Sequence, residues 1–444
     1  MRITKKLFYF LVAMFATVML FNSCNDDDDD DDSSDKNLYL GAILFLDADD
    51  GEMHKDAVNF AVGEINDAGG LLDGYNLKLD IRSSEPQGDN DRATQAALVA
   101  EDVIKTNPNT IGFITSGSSG AKGIVEEVGN TYKIGSISGW SSANSNSGLS
   151  SYFHRTCPPN KYNIDILVQE AWNYGLKKIA VAKVEGDEWS SSFEASFREK
   201  WIAKGGTMAD TVSFKENDTE YSTKLATLYS GQPDAVLALL TSISPEFYAA
   251  VNTNKATLGL NDDELVFVLG SAISELLTTG VQPFMLGETA GGVPKAFSVV
   301  PYANTDDESF KHFQSAMSTT YSRDYISYGF YFYDAVYLFA LAAERAAADG
   351  GDVNNIEDFR QKVNAKIREI SKSPGDKVKP HSGWAAVKTK VQAADVDYDG
   401  AGGNCNINES GDCVTYFNLV VINKKGDNTY EYKTINNVIP EDVE

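Results

Sequence analysis

"AVNFAVGEINDAGGLLDGYNLKL" (residues 57–79) is the stretch whose reading decides the fold. Ala57, Val58, Ala61, Val62 and Ile65 recur at helical spacing and share one apolar face. Gly69 and Gly70 stop that helix, because glycine takes the left-handed cap conformation without a Cβ clash. The period then changes: Leu77, Leu79 and Ile81 alternate, as in a strand with one buried face. Upstream, "LYLGAILFLD" (38–47) is a short apolar strand, so the unit reads strand, helix, strand.

The same alternation continues outward. "RATQAALVAEDVIKT" (92–106) predicts a helix, "TIGFITSGS" (110–118) a strand, "AKGIVEEVGNTY" (121–132) a helix and "KIGSISGW" (133–140) a strand. A second series begins at "YNIDILVQEAWNYG" (162–175) and runs to the strand "ELVFVLGSA" (264–272). Strands alternating with helices of this length make parallel sheets covered by helices, and two series make two lobes. Pro158 and Pro159 in "FHRTCPPNKYN" mark the first crossing, and the glycine-rich "GETAGGVPKAF" (287–297) a second. A long helix follows in "SYGFYFYDAVYLFALAAERAAA" (327–348), and the chain from about 395 is strand-like and rich in turns. Tyr333, Val336, Tyr337, Ala340 and Leu341 are most simply a core face, while Tyr325, Tyr328 and Tyr331 could reach a cleft mouth.

At 444 residues the chain exceeds one ordinary domain. Its net charge of -26, with no block of Lys or Arg, argues against nucleic acid as a partner. Seven of the negative charges sit in Asp26 to Asp32, so the folded body is less acidic than the total. Residues 1–23 have a secretory pattern: Arg2, Lys5 and Lys6, then an apolar run from Leu7 to Phe21. "FNSC" (21–24) resembles a loose lipobox, which implies a lipid anchor on Cys24. The alternative is an ordinary cleaved signal with an incidental thiol. Residues 24–37 read as a disordered acidic tether, because like charges repel and nothing apolar can be buried. These features predict an exported, lipid-anchored protein. The acidic run behind Cys24 resembles the export tags of surface-displayed lipoproteins in some Gram-negative bacteria, which implies the periplasm or cell surface of such a bacterium.

Cys405 and Cys413 lie in a loop rich in glycine and asparagine, and in an oxidising compartment they are the natural disulfide pair. Cys157 is then left as a buried thiol. Neither a zinc spacing nor any cofactor motif is present, since the four histidines show no ligand spacing and no G-x-G-x-x-G follows the first strand. "GSSG" is not a nucleophile elbow, so an enzyme is not expected. "DVDYDG" (395–400) resembles the start of an EF-hand loop, but Asn406 stands where the bidentate Glu belongs, and a turn is the better reading.

Ala61, Glu64, Ile65, Asn66, Gly69, Gly70, Gly74 and Leu77 resemble the A-x-x-E-I-N-x-x-G-G-x-x-G-x-x-L stretch of leucine/isoleucine/valine-type binding proteins. "GFITSGSS", "ISGWSSAN", "YFHRTCPPN", "YDAVYLFALA" and "YDGAGGNCNINESGD" follow in that family's order. The resemblance implies the type I periplasmic-binding fold: α/β, two Rossmann-like lobes with parallel sheets and a multi-strand hinge, closing like a flytrap. Lobe 1 would comprise 38–157 plus about 291–394, and lobe 2 would comprise 158–290 plus about 395–444. It implies a small-molecule ligand (an amino acid, amide or related carboxylate), an ABC permease as partner and a monomer. Ser116 and Ser142 would bind the ligand's acceptor group, helped by backbone N–H groups at Ser118, Ser119, Trp140, Ser141 and Ser142. Trp140 would form a wall, Trp189 would cover the ligand, and Glu185 or Asp187 could meet a cation. Ser271 and Ala272 fall where amino-acid binders carry an ammonium-binding Glu, so Ala272 is a departure. Rival expectations are a sensor acting on a partner in trans and an interaction lipoprotein of the kind that activates cell-wall synthases.

Overall fold

A computed structural model describes residues 36–438, apart from residues 49, 216, 242, 271–275, 324–327 and 373. The expected signal, the Cys24 anchor and nearly all of the tether lie outside the described residues, as do Ser271, Ala272 and Tyr325. The first lobe is built on β1 (Asn37–Leu44), β2 (Asn76–Ser83), β3 (Thr110–Ser116), β4 (Gly135–Trp140) and β5 (Phe153–Arg155). They form one parallel sheet in the order β2-β1-β3-β4-β5. Between them run α1 (Gly51–Asp67), α2 (Arg92–Thr106) and α3 (Ser118–Gly123), the last continuing through a wider turn at Ile124–Gly129. Strand alternation divides the core: Leu38, Leu40, Ala42 and Leu44 face one side, while Ile43 faces α2 on the other.

The second lobe holds α4 (Asn160–Asn173), β6 (Lys178–Val184), α5 (Glu188–Ala203), β7 (Thr207–Phe214), α6 (Tyr221–Ser230), β8 (Ala235–Leu239), α7 (Ser244–Asn254) and β9 (Phe267–Leu269). β10 (Ala296–Tyr302) follows, and the chain then returns to the first lobe with α8 (Glu308–Tyr321), α9 (Gly329–Ala348), α10 (Ile356–Ile370), β11 (Asp376–Val378) and α11 (Trp384–Ala393). β12 (Val396–Gly400) and β13 (Gly403–Asn404) complete a small third sheet with β11. The hairpin β14 (Tyr416–Gly426) and β15 (Thr429–Val438) ends the described chain, and the large sheet has the order β15-β14-β10-β9-β8-β6-β7. Ala180 and Ala182 of β6 face one of its cores, Ile179 and Val181 the other. No described helix is long and apolar enough to cross a membrane.

Two expected boundaries move. β10 pairs in parallel with β9 and antiparallel with β14, so the return to lobe 1 falls after Tyr302, not near 291. The glycine-rich stretch read as a crossing is a turn inside lobe 2, closed by the Glu288–Pro294 bridge. Residues 396–413 also stay with lobe 1, because Val396, Tyr398, Cys405 and Ile407 share a core with Leu40 and Tyr337. The chain re-enters lobe 2 only at β14.

The opening stretch is built into this core. The Asn66 side chain accepts from Leu77 N–H (2.9 Å) and donates to Leu77 C=O (2.8 Å), joining the end of α1 to β2. Glu64 accepts from Tyr333 (2.7 Å) and Tyr337 (3.1 Å) of α9 and contacts His312 of α8. That bond to Glu64 raises the His312 pKa above its ordinary value, against partial burial. Gly70, at φ +70°, has no room for a side chain, since a Cβ would lie 2.3 Å from Tyr75 O. Its carbonyl accepts from Trp384 Nε1 at 3.0 Å, tying α11 to the same turn.

α9 is buried almost all round, with Tyr331, Phe332, Tyr333 and Tyr337 at its centre. Burial of each such ring contributes about 1.5–3 kcal/mol. The family-like closing element packs on this helix. Asp334 accepts from Tyr398 OH (2.8 Å), Ala401 N–H (2.8 Å) and Gly402 N–H (2.7 Å). Burial nevertheless raises its pKa to about 7. A Cβ on Gly400 would stand 2.3 Å from Asp334 Oδ1, so alanine there would push the loop off the helix. Of the EF-hand-like acids, Asp399 pairs with Lys377 (3.5 Å) and Lys379 (3.2 Å), and Asp395 with Arg345 (3.3 Å).

Cys405 and Cys413 stand as buried neighbouring thiols, not as a bonded pair. The hydrogen bond with Cys413, together with burial, pushes the Cys405 thiol well above its ordinary pKa. Cys157 is buried as expected, and burial pushes its thiol up to about 12.

Candidate functional site

Parallel strands deliver their carboxyl ends, and the helix N-termini that follow, to one edge of each sheet. The two lobes bring those edges together around a cleft of about 660 Å³. Lobe 1 contributes Phe45 after β1, Arg92 opening α2, Ser118 and Ser119 after β3, and Trp140 ending β4. Lobe 2 contributes Glu185, Asp187, Glu188 and Trp189 after β6, with Lys215 after β7. The two tryptophans thus come from opposite lobes.

Of the residues expected from the sequence, Ser118, Ser119, Trp140, Asp187 and Trp189 meet in the cleft. Ser116, Ser141 and Ser142 do not line it. Ser116 is 1% exposed, and its Oγ accepts from Phe45 N–H. Ser141 Oγ accepts from Asn146 at 2.9 Å, and Ser142 C=O from Asn160 N–H at 2.8 Å. Even Ser118, at the wall, accepts from Ala143 N–H at 3.1 Å. For Ser116 and Ser141 the cause is general: a buried hydroxyl must be satisfied, and the nearest partners are the amides of adjoining loops. Tyr331 is fully buried in the core, while Tyr328 lies behind Trp140 with ring centroids 6.2 Å apart.

Arg155 holds the loop that carries these serines. It donates to Ser141 C=O (2.7 Å) and Ala143 C=O (2.9 Å) and pairs with Asp412 through Nε at 2.9 Å. Both side chains are wholly buried. Beyond the loop the lobes touch: Asn144 Nδ2 donates to Ser196 Oγ (2.7 Å) and Ser145 Oγ to Glu188 Oε1 (2.6 Å).

Trp189 is 8% exposed and packs on Phe193, centroids 5.7 Å apart. Its ring edge runs so close to Gly270 that a Cβ there would lie 2.6 Å away. Asp187 caps α5 by accepting from Ser190 N–H at 2.7 Å, while burial raises its pKa above the usual carboxylate range. Asp91 caps α2 through Thr94 N–H at 2.8 Å, which lowers its pKa.

Arg92 and Phe45 are among the wall residues that sequence reasoning missed. The Arg92 guanidinium carbon lies 3.3 Å from the Phe45 ring centroid, and burial pulls its pKa down against the nearby Asp47. One signal was available. A cation at the first residue of a helix opposes the helix dipole, and such local conflicts concentrate at functional sites. Among the described residues, no group of three His, Cys, Asp or Glu side chains is placed to hold a metal ion.

Residues 53–427 match the family model described as the receptor family ligand binding region, and the chain belongs to that family. The fold is that of solved solute-binding proteins. A leucine-binding protein of Thermotoga maritima superposes with a TM-score of 0.68 at 18% identity, over 91% of this chain and 100% of that one. A Rhodopseudomonas palustris ABC-transporter solute-binding protein in complex with 4-hydroxybenzoate gives 0.66 at 14% identity, over 90% and 97%. A Streptococcus pneumoniae branched-chain amino-acid transporter substrate-binding protein, in complex with isoleucine, gives 0.65 at 15% identity, over 90% and 100%. No curated protein matches the sequence significantly.

Proposed function

We propose that this chain is an extracytoplasmic solute-binding lipoprotein that captures a small carboxylate-bearing molecule between its lobes and presents it to an ABC importer. The observation that carries the reading is the shared cleft, walled by Trp140 from one lobe and Trp189 from the other. A ligand touching both walls binds the approached lobes better than the separated ones, and that difference in affinity drives hinge closure. Proteins of the same fold hold isoleucine and 4-hydroxybenzoate, two carboxylates of similar bulk and different polarity. The role proposed is the binding of a solute. The acidic stretch behind Cys24 serves as the spacer between lipid anchor and clamp. At full extension its 13 residues from Asn25 to Asn37 reach roughly 45 Å. A thermal-shift screen across amino acids, amides, aromatic acids and short peptides tests the reading. A dose-dependent rise in melting temperature with one chemical class supports it, and a flat response across all classes contradicts it.

A further inference from the structure

The charges lining the cleft are not equally available to a ligand. Asp91 and Asp187 cap helices, and Glu188 meets Ser145 and Lys122, the latter at 3.7 Å. Glu126, Glu185 and Lys215 are exposed at the rim, where water screens them. Arg92 is different. Its side chain is 19% exposed, against 35% for Lys122, so among these cations it is the most withdrawn from water.

Its described bonds are long: Nη1 to Ser84 Oγ at 3.3 Å and Nη2 to Asp47 at 3.4 Å. Phe45 covers the face of the guanidinium, while the in-plane donors of the fork remain incompletely used. A planar fork with spare donors, seated on an aromatic ring in a partly dry cleft, matches a carboxylate in two-point contact. Among the described residues that line the cleft, an ammonium group finds no comparable partner. The most enclosed acid, Asp187, is held by the N–H of Ser190, and burial disfavours its charged form. Flat aromatic walls from both lobes add a preference for a flat body.

We propose that Arg92 is the carboxylate receptor of the cleft, and that the ligand is an aryl or heteroaryl monocarboxylate without an α-ammonium group, its ring held between Trp140 and Trp189. This inference rests on the solute-binding reading and names the ligand class for the same site. Closure then has a physical cause: the carboxylate is bound by lobe 1, and the ring it carries becomes the surface that Trp189 of lobe 2 covers.

Calorimetric titration of the full chain with benzoate, benzamide and leucine tests it, beside the Arg92→Gln and Arg92→Lys variants. Benzoate is expected to bind the native protein more tightly than benzamide, which keeps the ring and loses the charge. Arg92→Gln should weaken benzoate by roughly 10- to 150-fold, the worth of a charge-assisted hydrogen bond, and remove the preference over benzamide. Arg92→Lys should fall between, since lysine keeps the charge without the fork. Equal affinity of benzoate and benzamide for the native protein overturns the proposal without any variant having to fold. Tight leucine binding that Arg92→Gln leaves unchanged also overturns it, while leaving the solute-binding reading intact. Failure of every class in the wider thermal-shift screen would instead remove the reading beneath it.

Discussion

Replacing Asp412 by Asn should strike the joint between the hinge and the cleft. Asp412 and Arg155 are both wholly buried, and the guanidinium makes two contacts to Asp412 Oδ1, at 2.9 and 2.5 Å. Asparagine keeps the shape and one acceptor but leaves a buried cation without its counter-charge. Breaking such a pair from one side costs about 3–5 kcal/mol. With an unfolding entropy of about 2.1 cal/mol/K per residue over roughly 400 folded residues, 1 kcal/mol corresponds to about 1.2 °C. Asp412→Asn should therefore lower the melting temperature by about 4–6 °C in differential scanning calorimetry. The double replacement Arg155→Met with Asp412→Leu removes both charges and should cost less than Asp412→Asn alone. The same guanidinium holds the Ser141 and Ala143 carbonyls, so Asp412→Asn should also loosen the loop that reaches Ser196 across the cleft. A melting temperature within 1 °C of native, or a double variant worse than the single one, would refute this account of the joint.

Three further outcomes follow from other parts of the molecule. His312 should titrate above its ordinary value, and Glu64→Gln should return it toward that value in NMR titration. Because its folded pKa is the raised one, its contribution to stability is complete below about pH 6.5 and fades as pH rises through the folded pKa. Non-reducing peptide mapping should find Cys157, Cys405 and Cys413 all as thiols; a Cys405–Cys413 disulfide in protein from an oxidising compartment would overturn the thiol pair. Cys24→Ser should release the protein from membranes, and persistent membrane association would remove the lipid anchor from the account.

The alternation of strands and helices was legible because its periods are local. Glu64, Asn66 and Gly70 were legible as a motif, and the structure supplies their work: a hub for Tyr333 and Tyr337, a clamp on Leu77, and a turn without space for Cβ. What failed was non-local. The strand Ala296–Tyr302 belongs to the second sheet because its partners lie at 267–269 and 416–421, a pairing that no window of sequence contains. Ser116, Ser141 and Ser142 carry the composition of a binding turn, yet a hydroxyl at a strand end looks the same in sequence whichever way it faces. Their alanine variants should therefore act on loop packing before they act on a ligand. Arg92 lay in plain view, but only the fold brings it onto Phe45 and into the cleft that Trp189 also lines.

The central claim is that a ligand in the cleft draws the lobes together, and an inter-lobe distance tests it most directly. Leu98 on lobe 1 is 51% exposed and Ile202 on lobe 2 is 54% exposed, so cysteines placed there accept spin labels. Cys157, Cys405 and Cys413 are buried and should resist labelling, and Cys24→Ser removes the remaining thiol. Pulsed electron–electron resonance on this pair should show a distance distribution that narrows and shifts when a thermal-shift ligand is added to saturation. A distribution unchanged at saturating ligand would contradict the account.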